Sequence, residues 1–255
     1  VPPSLLSRKA TDYMTPEART IQESTGEQVL FDPELVSDPT RELFDPAIWG
    51  DRAIPHTEGR GTVWQLESAE GRWILKRYLR GGLVARAVSD HYFFMGYERT
   101  RMAREFRLLC SLCEMRLPVP RPVAAFIQRS GPALYAGSLI TQYLEGTQSL
   151  SSLIRSGHLS DAPWAAVGST IRRFHDHGVI HRDLNASNVL LSEGEVHLID
   201  FDKGRLATPS TNDSWKQANL RRLYRSLEKI STGQASHLGD HWTTLLSAYA
   251  EPSSS

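Results

Sequence analysis

Asp183 and Asn188 stand five residues apart in VIHRDLNASNVLL (Val179–Leu191), and Asp200 follows in VHLIDFDKG (Val196–Gly204). Phosphoryl transfer from ATP asks for little covalent work from a protein. It needs a carboxylate to take the attacking hydroxyl's proton, oxygen ligands for a divalent cation, and positive charge on the phosphates. Asp183 suits the first task. Asn188 and Asp200 suit the second, because Mg2+ prefers hard oxygen ligands that it shares with substrate phosphates. Asp200 is expected to end the apolar strand VHLI, while His181 and Arg182 support the loop. Asp200 alone would read equally well as a capping or turn residue; the spacing HxDxxxxN followed by an apolar run and IDFD gives it weight.

The first half of the chain supplies matching parts. In EGRGTVWQL, Gly59, Gly61 and Val63 form a short glycine motif before a strand, where backbone can fold over phosphates. Taken singly it is an ordinary hairpin turn. The next strand, RWILKRYL, sets Lys76 among alternating apolar residues, within reach of α- and β-phosphates. An inward-facing lysine needs a counter-charge. Glu105 in RMAREFRLL is the first candidate and Glu98 the alternative.

These residues need a scaffold, and the pattern around them outlines one. Thr62–Glu67 and Arg72–Leu79 read as a hairpin. Tyr97–Met115 reads as a helix, with Met102, Phe106, Leu109 and Cys113 at helical spacing, stopped by LPVPRP. Val123–Ile127 and Ser138–Leu144 read as two further strands. Pro39–Trp49 reads as a short helix or turn. After Gly146 the pattern becomes helical: Asp161–His177 with Pro163 in its first turn, then Ser214–Ile230 and His237–Tyr249, with short strands at Val189–Leu191 and Val196–Ile199. The expected class is α+β with two lobes. Residues 1–25 are read as a loose tail, 26–145 as a strand-rich N-lobe that binds nucleotide phosphates, and 146–255 as a compact helical C-lobe carrying the catalytic loop and metal ligands.

Composition narrows the function classes. Lys+Arg and Asp+Glu are equal at 29 each, so net charge does not point to a nucleic-acid partner. The longest uncharged run, Ser130–Leu144, is broken by Ser, Gly, Pro, Thr and Gln, so no transmembrane segment is expected. No apolar stretch follows a basic start, and a secretory leader is not expected. Cys110 and Cys113 form a CxxC, but no second pair exists to complete a zinc site. They read as small apolar residues on one helix face. His175, Asp176, His177 and His181 crowd together where FHDHG leads into the catalytic loop, and read as a helix end.

In the order glycine loop, Lys, Glu, HRD, Asn, Asp, the chain resembles the protein kinase-like superfamily. More narrowly it resembles the bacterial 3-deoxy-D-manno-octulosonic acid (Kdo) kinases of the lipopolysaccharide kinase family. The carrying stretches are LKRYLRGGLVARAVSDHYFF, RTRMAREFRLL, LPVPRPVAA, HRDLNASNVLL and LIDFDKGR, over roughly residues 50–230. The resemblance implies a bilobal kinase fold and ATP with Mg2+. It implies phosphorylation of the 4-hydroxyl of Kdo on the Kdo–lipid A precursor, at the cytoplasmic face of the inner membrane. The family's base falls on Asp183, its metal ligands on Asn188 and Asp200, its phosphate lysine on Lys76 and its helix glutamate on Glu105. The chain departs from protein kinases in lacking a third loop glycine, in reading Asp200-Phe201-Asp202 for DFG, and in having no Ala-Pro-Glu among the 55 residues after Asp200. That weakens a protein-kinase reading. Another sugar or small-molecule kinase of heptose or aminoglycoside type, a compact atypical protein kinase, and a lipid-binding pseudokinase stay open as alternatives.

The residues themselves also suit an anionic membrane surface as partner. Between Lys76 and Arg107 there are eight Lys/Arg against three acids, and HYFFMGY lies within that stretch. Arg80, Arg86, Arg99 and Arg101 are the candidates for lipid A phosphates.

Overall fold

The computed structural model describes residues 19–24, 26–56, 63–78, 92–231 and 235–251. The first half is built on an antiparallel sheet. Its main path runs β1 (Arg19–Ser24), β2 (Glu27–Phe31), β7 (Pro122–Ser130), β8 (Leu134–Gln142), β5 (Gly71–Arg77), β4 (Val63–Ser68) and β3 (Ala53–His56), with β6 (Tyr92–Phe93) also pairing β8. The hairpin expected around residues 69–71 is β4–β5, in register from Val63 opposite Lys76 to Ser68 opposite Gly71. Gly71 closes it at φ 129, a conformation that favours glycine.

One expectation is corrected here. The loose tail was drawn to residue 25, yet Arg19–Ser24 forms edge strand β1 against β2. Its polar sequence, RTIQES, carries little apolar periodicity because an edge strand contributes mainly backbone hydrogen bonds. Residues 1–18 lie outside the described residues. The Pro39–Trp49 stretch divides into a 3-10 turn, Arg41–Phe44, and α1, Pro46–Trp49.

Side chains alternate across the sheet with period two, and both faces are covered. Val29, Phe31, Leu66, Trp73, Leu75 and Phe126 cluster on one face with Phe44. Leu30, Ala125, Ile127 and Leu139 pack on the other with α2 (Arg101–Glu114), through Met102, Phe106 and Leu109. On β5, Trp73 and Leu75 belong to the first cluster, which turns Lys76 and Tyr78 toward α2. Thr100 caps α2, its hydroxyl accepting from Ala103 N. A 3-10 turn, Tyr97–Arg99, precedes it where the sequence pattern had the helix begin. Cys110 and Cys113 are buried free thiols on the packed face of α2, and burial pushes both up to about 12. They behave as small core residues.

The second half is helical and shares the α2-side core. It contains α3 (Leu150–Arg155), α4 (Trp164–Asp176), α5 (Ser214–Ile230) and α6 (Ala235–Ala250). α4 begins at Trp164, later than the expected Asp161, so Pro163 is its N-cap and does not lie within its first turn. The backbones of α4 and α6 approach closely at Gly168, where a Cβ would lie 2.1 Å from Leu245 O. Two small sheets frame the loop of interest. β9 (Gln148–Ser149), β11 (Val189–Ser192) and β12 (Glu195–Leu198) form one, and β10 (Val179–Ile180) with β13 (Arg205–Leu206) the other. The stretch His181–Asn188 is strung between β10 and β11, so both of its ends are pinned. An antiparallel sheet packed against α2, set on a helical second half, is the bilobal α+β fold expected from the sequence.

Candidate active site

Strand β5 and helix α2 bring Lys76 to Glu105 at 3.4 Å, while the turn after β12 brings Asp200 to the same ammonium at 2.5 Å. Glu105 is 3% exposed and also accepts a short hydrogen bond from the Tyr78 hydroxyl. Glu98, the alternative partner, is instead paired with Arg107 at the surface. Burial would pull the Lys76 ammonium down, but Glu105 and Asp200 outweigh it and hold it above its ordinary value. Burial would lift the Asp200 carboxyl, but Lys76 wins and holds it below its ordinary value. For Glu105 burial prevails over Lys76 and raises the carboxyl. Lys76 therefore stays charged, shared between a buried carboxylate of α2 and a more open one from the second half of the chain.

Asp200 does not end the strand as expected. β12 stops at Leu198, and Asp200 sits two residues on at φ 65, a left-handed conformation that aspartate tolerates better than most residues. His181 ties this turn to the loop. Its Nε2–H donates to Ile199 O at 2.9 Å and its Nδ1 accepts from Asp183 N at 3.2 Å. That pattern needs the neutral imidazole, and burial holds His181 below its ordinary pKa. Phe201, 1% exposed, packs beside the His181 ring and stacks on Phe174. The Asn188 amide donates to Asp183 O at 2.9 Å, which leaves its Oδ1 as an available oxygen. Asp183 itself is half exposed, with Oδ1 3.3 Å from Arg222 Nη1 on α5. The other histidines take separate partners: His175 the Tyr249 hydroxyl, His177 the Arg173 carbonyl.

The donor chemistry fits a magnesium–nucleotide complex. Asp200 Oδ2 and Asn188 Oδ1 are hard oxygens, and Lys76 supplies adjoining positive charge. Val63 lies on β4 opposite Lys76. Gly59 and Gly61 lie outside the described residues, as do Arg80 and Arg86.

A profile of the "Lipopolysaccharide kinase (Kdo/WaaP) family" matches residues 48–249. The chain is 42% identical over 223 residues to the "3-deoxy-D-manno-octulosonic acid kinase" of Xylella fastidiosa strain M23, covering 87% of each chain. It is 43% identical over 205 residues to the protein so named in Stenotrophomonas maltophilia strain R551-3, covering 79% of this chain and 80% of that one. The chain belongs to the lipopolysaccharide kinase (Kdo/WaaP) family. A solved structure titled "WaaP in complex with acyl carrier protein" shares the fold, with a TM-score of 0.54 over 84% of this chain and 88% of that one, at 17% identity. Family membership makes the protein an ATP-dependent phosphotransferase acting on a sugar hydroxyl of the lipopolysaccharide core.

Within this lipopolysaccharide kinase one substrate candidate must be revised. Arg101 was expected to face lipid phosphates, but its Nε donates to Asp202 Oδ1 at 2.6 Å and its guanidinium stacks over Tyr78 and Tyr92. It fastens the start of α2 to the third residue of the Asp200-Phe201-Asp202 turn. The second Asp of that turn, standing where protein kinases have glycine, was the available signal. Arg99 is exposed. Two further residues escaped the sequence reading altogether: Tyr78, which hydrogen-bonds Glu105, and Arg222, which contacts Asp183.

A double-mutant cycle on Lys76→Met and Glu105→Gln, read by urea unfolding, is expected to show coupling of about 1–3 kcal/mol. Costs that add to within about 0.5 kcal/mol would mean the pair does not act as a unit.

Proposed function

We propose that this chain transfers the γ-phosphoryl group of ATP to the 4-hydroxyl of Kdo on the Kdo–lipid A precursor. The observation that carries this reading is the convergence of Lys76, Glu105 and Asp200 beside the loop bearing Asp183 and Asn188. It occurs in a chain 42–44% identical to proteins named as kinases of this sugar acid.

In this reading Asp183 accepts the proton of the attacking hydroxyl. Its Oδ2 has no partner among the described residues, and the hydrogen bonds of His181 and Asn188 to its backbone fix its position. Lys76, held by Glu105, turns from Asp200 to the α- and β-phosphates when nucleotide enters. Asn188 and Asp200 would hold Mg2+, which when bound neutralises charge developing on the transferred phosphoryl group. Gly59, Gly61 and Val63 would cover the phosphates.

The acceptor is a glycolipid, so the enzyme works at the cytoplasmic face of the inner membrane as a peripheral protein. No described helix is long and apolar enough to cross a membrane. Supporting a surface contact, Phe93 and Met95 are 73% and 69% exposed close to the exposed Arg99, while Phe94 and Tyr97 of the same stretch pack inward. Apolar side chains beside basic charge suit an anionic interface.

Transfer of label from ATP is the direct test, with Kdo–lipid A precursor, a heptosylated acceptor lacking an open 4-hydroxyl and a generic protein substrate side by side. Label should enter the Kdo–lipid alone, and Asp183→Asn should lower turnover by about 10²–10⁴ without weakening ATP binding. Equal labelling of protein, or full turnover by the variant, would contradict the assignment. For the membrane contact, Phe93→Ser with Met95→Ser should abolish co-sedimentation with anionic vesicles and spare binding to ATP; unchanged co-sedimentation would remove these two residues from the interface.

A further inference from the structure

A cavity of about 660 Å³ lies between the catalytic loop, β13 and α5. Half of its ten lining residues are arginines and none is acidic: Arg182 from the loop, Arg205 from β13, and Arg221, Arg222 and Arg225 from α5. Only Arg222 is spoken for, through Asp183. Among the described residues no carboxylate pairs with the other four. Two more donors in the wall, Arg205 Nε and Trp215 Nε1, are buried without any acceptor. Buried donors normally find a partner, and those that do not ask for a ligand or an ion. Arg182, Arg221, Arg222 and Arg225 open to solvent at the cavity's rim, and charges of one sign clustered there draw a counter-ion. Both deficits are of one sign: the wall carries unpartnered N–H donors and an excess of positive charge, and no acidic residue lines it to answer them.

We propose that this cavity seats the carboxylate of the acceptor sugar acid, and so orients the sugar's hydroxyl toward Asp183. The proposal rests on the Kdo acceptor argued above and gives that acceptor its binding residues. Three observations place the ligand. Neither Lys76, Asn188 nor Asp200 lines the cavity, so it is separate from the nucleotide's contacts. Arg222 belongs to both the cavity wall and the Asp183 contact, so an anion held there adjoins the base. In a 3-deoxy-2-ulosonic acid the carboxylate sits on C2, only the C3 methylene away from C4 and its hydroxyl, a short span that one arginine can bridge. A planar guanidinium also matches a carboxylate with paired, parallel hydrogen bonds, which a lysine cannot do. This assigns the sugar's carboxylate, as distinct from the lipid phosphates, to the second half of the chain.

The test uses Arg221→Gln combined with Arg225→Gln, since neither residue touches Asp183 or the nucleotide residues. The probes are the free methyl glycoside of Kdo and its neutral C1 methyl ester, titrated by NMR, with the Kdo–lipid A precursor and its dephosphorylated form in steady-state assays. The double variant should keep the wild-type melting temperature and ATP KM, bind the sugar acid at least tenfold more weakly, and raise the KM of both lipid acceptors by a similar factor. The ester should bind wild type as poorly as the acid binds the variant, and Arg221→Lys with Arg225→Lys should recover part of the loss. Unchanged acceptor KM and sugar-acid affinity in the glutamine variant would overturn the seat while leaving the kinase assignment standing. A KM effect confined to the phosphorylated lipid would overturn the carboxylate as ligand in favour of the lipid phosphates. Failure of the wild-type enzyme to label Kdo–lipid would overturn the acceptor itself, and with it this ligand.

Discussion

The ammonium of Lys76, caught between Glu105 of α2 and Asp200 of the turn after β12, is the interaction on which the rest of the site depends. A charge so placed cannot be left without partners, because burial penalises it. The two carboxylates that compensate it come from parts of the chain that the ammonium must hold together. The arrangement is deliberately unequal. Glu105 is sealed and bonded to Tyr78, so it is a fixed anchor; Asp200 is more open, so it can be exchanged for another anion. Phosphates and a cation are the natural replacements.

A second linkage carries this order to the loop that bears Asp183 and Asn188. His181 spans from Asp183 N to Ile199 O, one residue before Asp200, and Asn188 donates to Asp183 O. Moving Asp200 would thus disturb the position of Asp183 through a single buried imidazole. Arg101 and Asp202 repeat the device on the other side of Phe201, coupling the start of α2 to the same turn. Carboxylates collect around Lys76, and guanidiniums collect on the α5 side. Asp183, the proposed base, stands at the border, with Arg222 beside it.

Much of this is legible in the sequence itself. The alternation in RWILKRYL sets Lys76 on one face of its strand, and the spacing of Met102, Phe106 and Leu109 fixes which side of α2 is buried; only the fold shows that Glu105, and not Glu98, takes the lysine. HRDLNASN and IDFD announce themselves because so few arrangements need those residues in that order. What stayed hidden depends on contacts made by folding. Arg101 meets an aspartate 101 residues away, which no local pattern reveals. The two-residue strands β10 and β13 are too short to have a period. The arginines of LRRLYR look like the solvated face of an ordinary helix until Arg182 and Arg205 are brought opposite them. Edge strand β1 was missed because its polar residues earn their place through backbone pairing.

In the proposed reaction Asp200 exchanges Lys76 for a metal–nucleotide complex, while Asp183 serves only the acceptor. Calorimetric titration of ATP, with and without Mg2+, on wild type, Asp200→Ala and Asp183→Ala tests it most directly. Mg2+-dependent affinity is expected in wild type and Asp183→Ala, and its loss in Asp200→Ala. Undiminished Mg2+-dependent affinity in Asp200→Ala would contradict it.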